Sequence, residues 1–365
     1  MMRAKLGFRR RTVARLAIGG VGGAAVLASL ALGVAATPAF ATKRLAKTRK
    51  LTTLNLAFSP QFQNMPVALG QKIGIFAHYG VYVNLEVATN VTTILADLQS
   101  GQAQLGFVSD AFLLKSNQAG QYVKCVAPMG LANIAVKSFP TNAIMVAANS
   151  PITNVKQLNG QTFALNQIGG SESLYTEAAV DAGGGNFSSI KFVSIPFADM
   201  AAALKAGTVT AAFGAAPYIE AGEKAGEIKV LEDLDSQTVP WTTQCYGADA
   251  SYLAGHKTLL DRFAEGMDQS ILYAHAHPKQ AAAELSFVSG LPTSQAKLSV
   301  PPEIDYEDNL APRTLLNFQA FEQKYGFFHG SPLPLSELAW VAPGTPMKKL
   351  LFNDRRQYVG PPHKG

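Results

Sequence analysis

The sequence predicts an α/β protein with two lobes, and two patterns support this fold class. From residue 51 onward, short β-rich runs alternate with helical patterns, as they do in proteins built on parallel sheets. The alternation restarts at residue 143, so we expect a second sheet. A chain of 365 residues is long enough for each lobe to bury its own hydrophobic core.

The first lobe is expected to contain four strands. Two helical patterns connect the first three of them, and the second helix ends at Gly101, a residue typical of helix C-termini. The helices are predicted over residues 66–73 and 92–100, and the strands over residues 54–58, 82–87, 104–108 and 122–127.

The second lobe repeats this pattern and contains a glycine loop at Gly169 and Gly170. Its strands are predicted over residues 143–148, 162–165, 191–194, 211–213 and 230–234, and its helices over residues 154–158, 173–182 and 198–205. A strand and a helical region follow, which we expect to cover the first sheet. The strand is predicted over residues 245–250, and the helices over residues 260–276, 279–286 and 312–325.

The net charge of +6 comes from the two ends of the chain. Residues 1–41 hold six basic side chains and no acid, which accounts for all of it. The basic linker of residues 42–51 and the basic C-terminal tail of residues 348–365 add a further net nine positive charges, which leaves −9 on the body between them. A negatively charged body disfavours binding to backbone phosphates, so we expect no nucleic-acid partner.

Residues 1–41 have the order of a secretory signal peptide. Three consecutive arginines at residues 9–11 precede an apolar run over residues 16–36, and small residues for a signal peptidase follow at residues 39–41. Five glycines dilute the apolar run, which is typical of a twin-arginine signal. We therefore expect export to the periplasm or the extracytoplasmic face of the membrane. An uncleaved membrane anchor is the alternative, because the run is about long enough to span a bilayer.

Several short segments, taken in their order and spacing, resemble one family of periplasmic binding proteins. Its members bind nitrate, taurine, alkanesulfonates and thiamine pyrimidine precursors, and the resemblance covers residues 52–340. The family usually carries aspartate where this chain has Gln104 and Thr210. The segments are residues 70–76 (GQKIGIF), 81–87 (VYVNLEV), 98–106 (LQSGQAQLG), 150–152 (SPI), 155–161 (VKQLNGQ) and 204–212 (LKAGTVTAA).

The resemblance implies a type II periplasmic-binding-protein fold, in which two crossover strands join two α/β lobes around a ligand cleft. Lobe 1 would comprise residues 52–141 plus 242–347, and lobe 2 residues 142–241. A protein of this family would capture a small-molecule ligand and deliver it to an ABC transporter permease with its ATPase. It would act as a monomer.

Candidate ligand-binding residues lie where strands end and helices begin, because ligands of open α/β sheets bind at these edges. A polar side chain at such a position has an alternative role as a helix N-cap, and the aromatic candidates have one in packing. The candidates are Ser59, Gln61, Asn64, Asn90, Ser109 and Asp110 in the first lobe, Gly169, Gly170, Ser171, Pro217 and Tyr218 in the second, and Trp241 near the return crossover.

The positions of the arginines limit which kinds of anion the expected cleft could bind. No arginine occurs between Arg49 and Arg262, so the expected cleft lacks the bidentate fork that grips carboxylates. A sulfonate, taurine or nitrate-like anion is favoured, because its charge is diffuse and helix N-termini with hydroxyl groups can hold it. The alternative is a pyrimidine precursor of thiamine or another small heterocycle, held by Asn64, Asp110 and aromatic rings.

Two further function classes share this fold. One is an enzyme that makes a thiamine pyrimidine, but that activity depends on clustered cysteines and iron-binding histidines, and this chain has two cysteines and six scattered histidines. We therefore expect no catalysis, no cofactor and no metal. The other class is an exported ligand sensor, which the sequence leaves open.

The resemblance also implies a pairing for the two cysteines. In the family topology the strands at residues 122–127 and 245–250 are neighbours, so Cys125 and Cys245 would approach each other. A disulfide requires Cα atoms roughly 4.4 to 6.8 Å apart. Two buried thiols are the alternative.

Overall fold

The computed structural model describes residues 50–88, 90–129, 140–234, 244–298 and 312–340, without the side chains of residues 312–317. Several predictions concern other parts of the chain. The predicted signal peptide, nearly all of the basic linker, Trp241 and the basic C-terminal tail lie outside the described residues.

The first half of lobe 1 follows the predicted order of elements. The strands are β1 (Thr52–Phe58), β2 (Val81–Val87), β3 (Leu105–Val108) and β4 (Val123–Pro128), and the helices are α1 (Met65–Lys72), α2 (Ile75–His78), α3 (Val91–Ser100) and α4 (Asp110–Gln118). The predicted helix over residues 66–73 is followed by a second short helix, because Gly74 takes a left-handed φ of 84° and turns the chain.

The described part of lobe 2, residues 142–234, contains five strands and three α-helices. They are β5 (Asn142–Ala147), β6 (Thr162–Leu165), β7 (Lys191–Ser194), β8 (Ala211–Ala215) and β9 (Ile228–Asp233), with α5 (Ser171–Ala182), α6 (Phe197–Lys205) and α7 (Tyr218–Lys224). The helix predicted over residues 154–158 is a short 3-10 helix, Val155–Leu158. Helix α7 was not predicted from the sequence.

The chain then returns to lobe 1. The elements are β10 (Cys245–Asp249), α8 (Ala250–Ala276), α9 (Pro278–Ala282), α10 (Leu285–Ser289), α11 (Thr293–Leu298), α12 (Pro312–Lys324) and α13 (Leu335–Leu338). Helix α8 begins ten residues before the predicted start, because the Asp249 carboxylate accepts the backbone N–H groups of Ser251 and Tyr252 and caps it. His256 has a non-helical φ of −128°, which interrupts the helical pattern.

Two mixed sheets confirm the predicted α/β class with two lobes. Sheet 1 has the order β2-β1-β3-β10-β4, and sheet 2 the order β7-β6-β8-β5-β9. In each sheet one strand is antiparallel to both of its neighbours, β10 in sheet 1 and β5 in sheet 2. Each sheet buries its own hydrophobic cluster. All parallel strands of one sheet end at the same edge, which places their following loops together.

The C-terminal helices cover sheet 1, as the sequence predicts. Helix α8 packs against α1, α2 and β4. Phe263 of α8 stacks on Phe76 of α2 with ring centroids 5.5 Å apart, and the Trp340 backbone N–H donates to the Cys125 carbonyl at 2.8 Å. Helix α11 differs, because it contacts α7 of lobe 2. Within the described ranges, no helix is both long and apolar enough to cross a membrane.

Cys125 and Cys245 form a disulfide between neighbouring strands of sheet 1. Their Cα atoms are 5.7 Å apart, inside the range that the sequence analysis required. Strands β4 and β10 are antiparallel, and both cysteines are buried. The bond therefore ties the returning segment of lobe 1 to the strand that precedes lobe 2.

Candidate functional site

A cavity lies between the two lobes, at the edges where the strands of both sheets end. The space that the centres of water-sized molecules can occupy here is about 40 Å³, within about 450 Å³ of atom-free space that includes open solvent. Lobe 1 contributes the polar side chains of Ser59, Gln61, Ser109 and Gln244, and lobe 2 those of Asn166, Gln167, Ser171 and Glu172. Apolar walls come from Val91, Phe107, Phe197 and Phe213.

Four polar atoms that line the cavity have no hydrogen-bond partner within the protein. They are Ser59 Oγ, Gln61 Oε1, Ser171 Oγ and Gln244 Oε1. The Ser59 and Gln61 side chains are nine-tenths or more buried, with 1% and 8% of their surface exposed. An unpartnered buried polar atom costs about 1–3 kcal/mol, so these atoms are suited to contact a polar ligand.

Two helices begin at the cavity, one from each lobe. Ser109 is the N-cap of α4, and its Oγ accepts the Phe112 backbone N–H at 3.4 Å. Gly170 precedes α5, whose first residue is Ser171. Each helix also has an acid in its first turn, Asp110 in α4 and Glu172 in α5. A carboxyl group at such a position offsets the partial positive charge of a helix N-terminus only when it is ionised.

Among the residues that line the cavity, Glu172 is the one whose pKa is strongly shifted by its surroundings. Its Oε2 accepts the backbone N–H groups of Asn166 at 2.6 Å and Gln167 at 3.3 Å. Burial raises the pKa of Glu172 to about 8, and the two backbone hydrogen bonds only partly oppose this effect. Both of these hydrogen bonds use Oε2.

The structure places four of the twelve predicted ligand-binding residues on the cavity wall. Ser59 and Gln61 follow β1, Ser109 follows β3, and Ser171 begins α5. All four stand next to the end of a strand or the start of a helix, which is the property that selected them. Trp241 cannot be placed, because it lies outside the described residues.

Three other candidates in lobe 1 make local structural contacts and do not line the cavity. Asn64 is fully buried, donates from Nδ2 to the Ser59 carbonyl at 2.9 Å, and accepts from the Tyr246 hydroxyl at 2.8 Å. Asn90 caps α3 by accepting the Thr93 backbone N–H at 2.9 Å. Asp110 is buried in the first turn of α4. The helix-capping alternative therefore applies to Asn90.

The remaining lobe 2 candidates do not line the cavity. Gly169 and Gly170 form the loop before α5, and the Gly169 carbonyl accepts from Lys115 Nζ of lobe 1 at 3.3 Å. Pro217 immediately precedes α7. The Tyr218 ring stacks on Phe197 with centroids 6.0 Å apart, and its hydroxyl donates to the Ser289 carbonyl at 2.5 Å. Tyr218 thus supports a cavity wall from behind.

The sequence analysis missed several residues that line the cavity. Asn166 and Gln167 directly follow β6, so the rule that selected the other strand ends would have found them. Glu172 directly follows the candidate Ser171, and an acid in the first helical turn is common for electrostatic reasons alone, so its position gives no separate signal of a ligand contact. Tyr175 and Gln244 gave no local signal, since only the packing of the two lobes brings them to the cavity.

No group of three or more histidine, cysteine, aspartate or glutamate residues within the described part of the chain could hold a metal ion. The side chains that line the cavity offer amides, hydroxyls, one carboxyl and aromatic rings, which can contact a ligand by hydrogen bonding and packing.

Comparison with known proteins adds a family match. A family model described as NMT1/THI5 like matches residues 61–281, more than half of the chain. No curated protein matches the sequence significantly.

Solved structures of binding proteins share the architecture. A ligand-binding component of an ABC-type import system from Staphylococcus aureus, solved with zinc bound, has a TM-score of 0.66 at 17% identity, over 79% of this chain and 96% of that one. The alkanesulfonate-binding protein from Xanthomonas axonopodis pv. citri, bound to MOPS, has a TM-score of 0.65 at 16% identity, over 78% and 97%.

The periplasmic nitrate-binding protein from Synechocystis PCC 6803 has a TM-score of 0.58 at 13% identity, over 77% of this chain and 83% of that one. At these identities the likeness shows the fold. The chain has the periplasmic-binding-protein fold, and the predicted fold class is confirmed.

Proposed function

Since this chain belongs to the NMT1/THI5-like family, we propose that it captures a small solute between its lobes and delivers it to the permease and ATPase of an ABC-type importer. The observation that supports this function best is the cavity, to which each lobe contributes polar atoms without a partner in the protein. In this proposal the protein is exported, acts outside the cytoplasm as a monomer, and catalyses no reaction.

The solved structures of similar fold support the same class of function. One is a ligand-binding component of an import system, and others bind alkanesulfonates or nitrate. These ligands are properties of those proteins. For this chain they support a solute-binding function and a ligand of comparable size.

Contacts between the lobes support a mechanism of hinged closure. Lys115 of α4 reaches the Gly169 carbonyl of lobe 2, and Tyr218 of α7 donates to Ser289 at the end of α10. A solute that bridges the cavity would stabilise this closed arrangement through contacts that an open form lacks. The permease would then recognise the closed form.

Two ligand classes enter the proposal from the sequence. A sulfonate, taurine or nitrate-like anion is supported by the hydroxyl groups of Ser59, Ser109 and Ser171 near two helix N-termini. A pyrimidine precursor or other small heterocycle is supported by the aromatic walls of Phe107, Phe197 and Phe213.

A thermal-shift panel on the purified protein tests the solute-binding function. The panel contains alkanesulfonates, taurine, nitrate, thiamine pyrimidine precursors and small amides, because a ligand of the native state raises the melting temperature by mass action. We expect a saturable shift with one chemical class, and uptake of that compound by cells should require this protein. A panel in which no compound shifts the melting temperature would contradict the proposed function.

A further inference from the structure

We propose that the cavity, in the closed arrangement of the lobes, accepts a compact polar solute of about three to five non-hydrogen atoms, and that the rings of Phe197 and Phe213 set this limit. This inference rests on the proposed solute-binding function and specifies the size of its solute. It favours molecules of the size of nitrate or methanesulfonate over taurine, longer alkanesulfonates and pyrimidine precursors.

The room between the lobes is small. The centres of water-sized molecules can occupy about 40 Å³ of the cavity. By this measure one enclosed water needs roughly 10–15 Å³, so the cavity has room for about three waters. Bonded atoms lie closer together than separate waters do, so a solute that displaces these waters has about three to five non-hydrogen atoms.

The two phenylalanine rings are held in place from behind. Phe197 begins α6 and Phe213 lies in β8, and their ring centroids are 6.5 Å apart. Phe197 also stacks on Tyr218, whose hydroxyl donates to the Ser289 carbonyl. All three rings are buried. Rings in a packed interior cannot move aside without disturbing their neighbours, so a change of rotamer does not enlarge the cavity.

A wider separation of the lobes would make room for a larger solute, but it would break contacts between them. The Tyr218 hydroxyl and the Lys115 ammonium group each donate a hydrogen bond to the other lobe. The Tyr175 ring of α5 lies edge-on to the Phe318 ring of α12, with centroids 6.4 Å apart. A solute that holds the lobes apart forfeits these contacts, and its affinity falls by the free energy that they contribute.

The polar groups of the cavity suit a solute of this size. Ser59 and Gln61 line the cavity from lobe 1 and Ser171 lines it from lobe 2, and each has a polar atom without a partner in the protein. Hydroxyl and amide side chains both donate and accept hydrogen bonds. They can therefore bind a compact anion such as nitrate or an uncharged molecule such as acetamide, and the size limit applies to both.

The test is a calorimetric titration of the purified full chain with two series of probes that increase in size. The anions are nitrate, methanesulfonate, ethanesulfonate and butanesulfonate, and the uncharged amides are formamide, acetamide, propionamide and butyramide. In the series that binds, we expect the affinity to fall at least about tenfold from methanesulfonate to butanesulfonate or from acetamide to butyramide, because the longer chain overfills the cavity.

A longer homologue that binds as tightly as the shorter one, or more tightly, would overturn the size limit and leave the solute-binding function intact. Titrations in which no probe binds would also overturn the size limit, and the function would stand if the thermal-shift panel still identified a larger solute. An unresponsive panel together with titrations in which no probe binds would overturn both.

Substitution of the two rings tests whether they set the limit. Phe197→Leu and Phe213→Leu each shorten a side chain of the cavity wall and keep it apolar, which makes room for about one methylene group. We expect the affinity for ethanesulfonate relative to methanesulfonate, or for propionamide relative to acetamide, to rise about fourfold, because one more methylene group is then buried.

The matched control is Phe192→Leu in β7 of lobe 2. The Phe192 ring packs against Phe163 and Phe187, and Phe192 is not among the described residues that line the cavity. This substitution also removes part of a ring that packs on the lobe 2 core, so it should lower the melting temperature and keep the wild-type ratio of affinities. If Phe197→Leu and Phe213→Leu kept that ratio as well, the assignment of the two rings would be overturned.

Discussion

The Tyr218 hydroxyl donates a hydrogen bond to the Ser289 carbonyl at 2.5 Å and so connects the two lobes behind the cavity. Tyr218 begins α7 of lobe 2, and Ser289 ends α10, which packs on α1 of lobe 1. The Tyr218 side chain is buried, with 7% of its surface exposed. The hydrogen bond of the Tyr218 hydroxyl therefore helps to stabilise the closed arrangement of the two lobes.

Tyr218→Phe should lower the free energy of unfolding by about 1 kcal/mol, because it leaves a buried carbonyl without its donor. Urea unfolding of the wild type and the variant measures this difference. The control is Tyr122→Phe, at an exposed tyrosine with 58% of its surface accessible, which should leave the free energy of unfolding unchanged. Equal unfolding midpoints for wild type and Tyr218→Phe would contradict the structural role of this hydroxyl.

The Cys125–Cys245 disulfide should contribute strongly to the free energy of unfolding. Cys125 and Cys245 are 120 residues apart in the sequence, so the bond constrains a long loop in the unfolded chain. The double variant Cys125→Ser, Cys245→Ser should lose about 2–5 kcal/mol of unfolding free energy. Denaturant unfolding with and without reductant measures it, and a wild type insensitive to reductant throughout its unfolding transition would argue against the bond.

The raised pKa of Glu172 predicts a dependence of stability on pH. In the folded protein burial raises this pKa from its ordinary value of 4.5 to about 8. Between these two values the unfolded chain releases the proton while the folded chain retains it, so this residue's contribution to stability falls as the pH rises and is constant above about 8.

Glu172→Gln removes the ionisable group and should flatten this part of the stability curve. The measurement is the unfolding free energy of both proteins at several pH values from 4.5 to 8. A variant whose curve runs parallel to that of the wild type would show that Glu172 does not bind a proton in this range.

A substitution of Ser59 tests whether the unpartnered polar atoms of the cavity contact a ligand. Its Oγ makes no hydrogen bond in the protein, so Ser59→Ala should leave the unfolding free energy unchanged or raise it by up to about 3 kcal/mol. The same substitution should weaken solute binding by about tenfold, because it removes a ligand contact. Calorimetry and urea unfolding give the two numbers.

The control for this prediction is Ser116→Ala. Ser116 is also a buried serine of lobe 1, but its Oγ donates to the Leu113 carbonyl at 3.0 Å and does not line the cavity. This variant should keep the wild-type affinity and lose stability. If Ser59→Ala instead lost stability and kept its affinity, the cavity would not be the binding site.

The succession of strands along the chain could be predicted from the sequence, because each strand is a short apolar run bounded by turn residues. Strands such as β1 and β6 lie within two residues of their predicted bounds. The start of α8 could not be predicted, because Gly255 and His256 interrupt the helical pattern of the helix that Asp249 caps. The long-range pairing of β4 with β10 came only from the family resemblance.

The candidate site could be predicted only in part for a physical reason. A position between a strand end and a helix start is shared by Ser59, Ser171, Asn64 and Asn90, so position alone does not show which of them contacts a ligand. A short amide side chain can hydrogen-bond to its own neighbouring backbone instead of a ligand. Asn64 and Asn90 do so. Whether a side chain is satisfied locally depends on the folded loop, which the sequence pattern does not specify.

The central claim, that a solute bridges both lobes, is tested most directly by calorimetry on the double variant Gln61→Ala, Ser171→Ala. One residue lies on each lobe, and both have unpartnered polar atoms in the cavity. We expect the wild type to bind one molecule per chain of the solute that raises its melting temperature, and the variant to bind that solute at least about tenfold more weakly. Wild-type affinity in this double variant would contradict the claim.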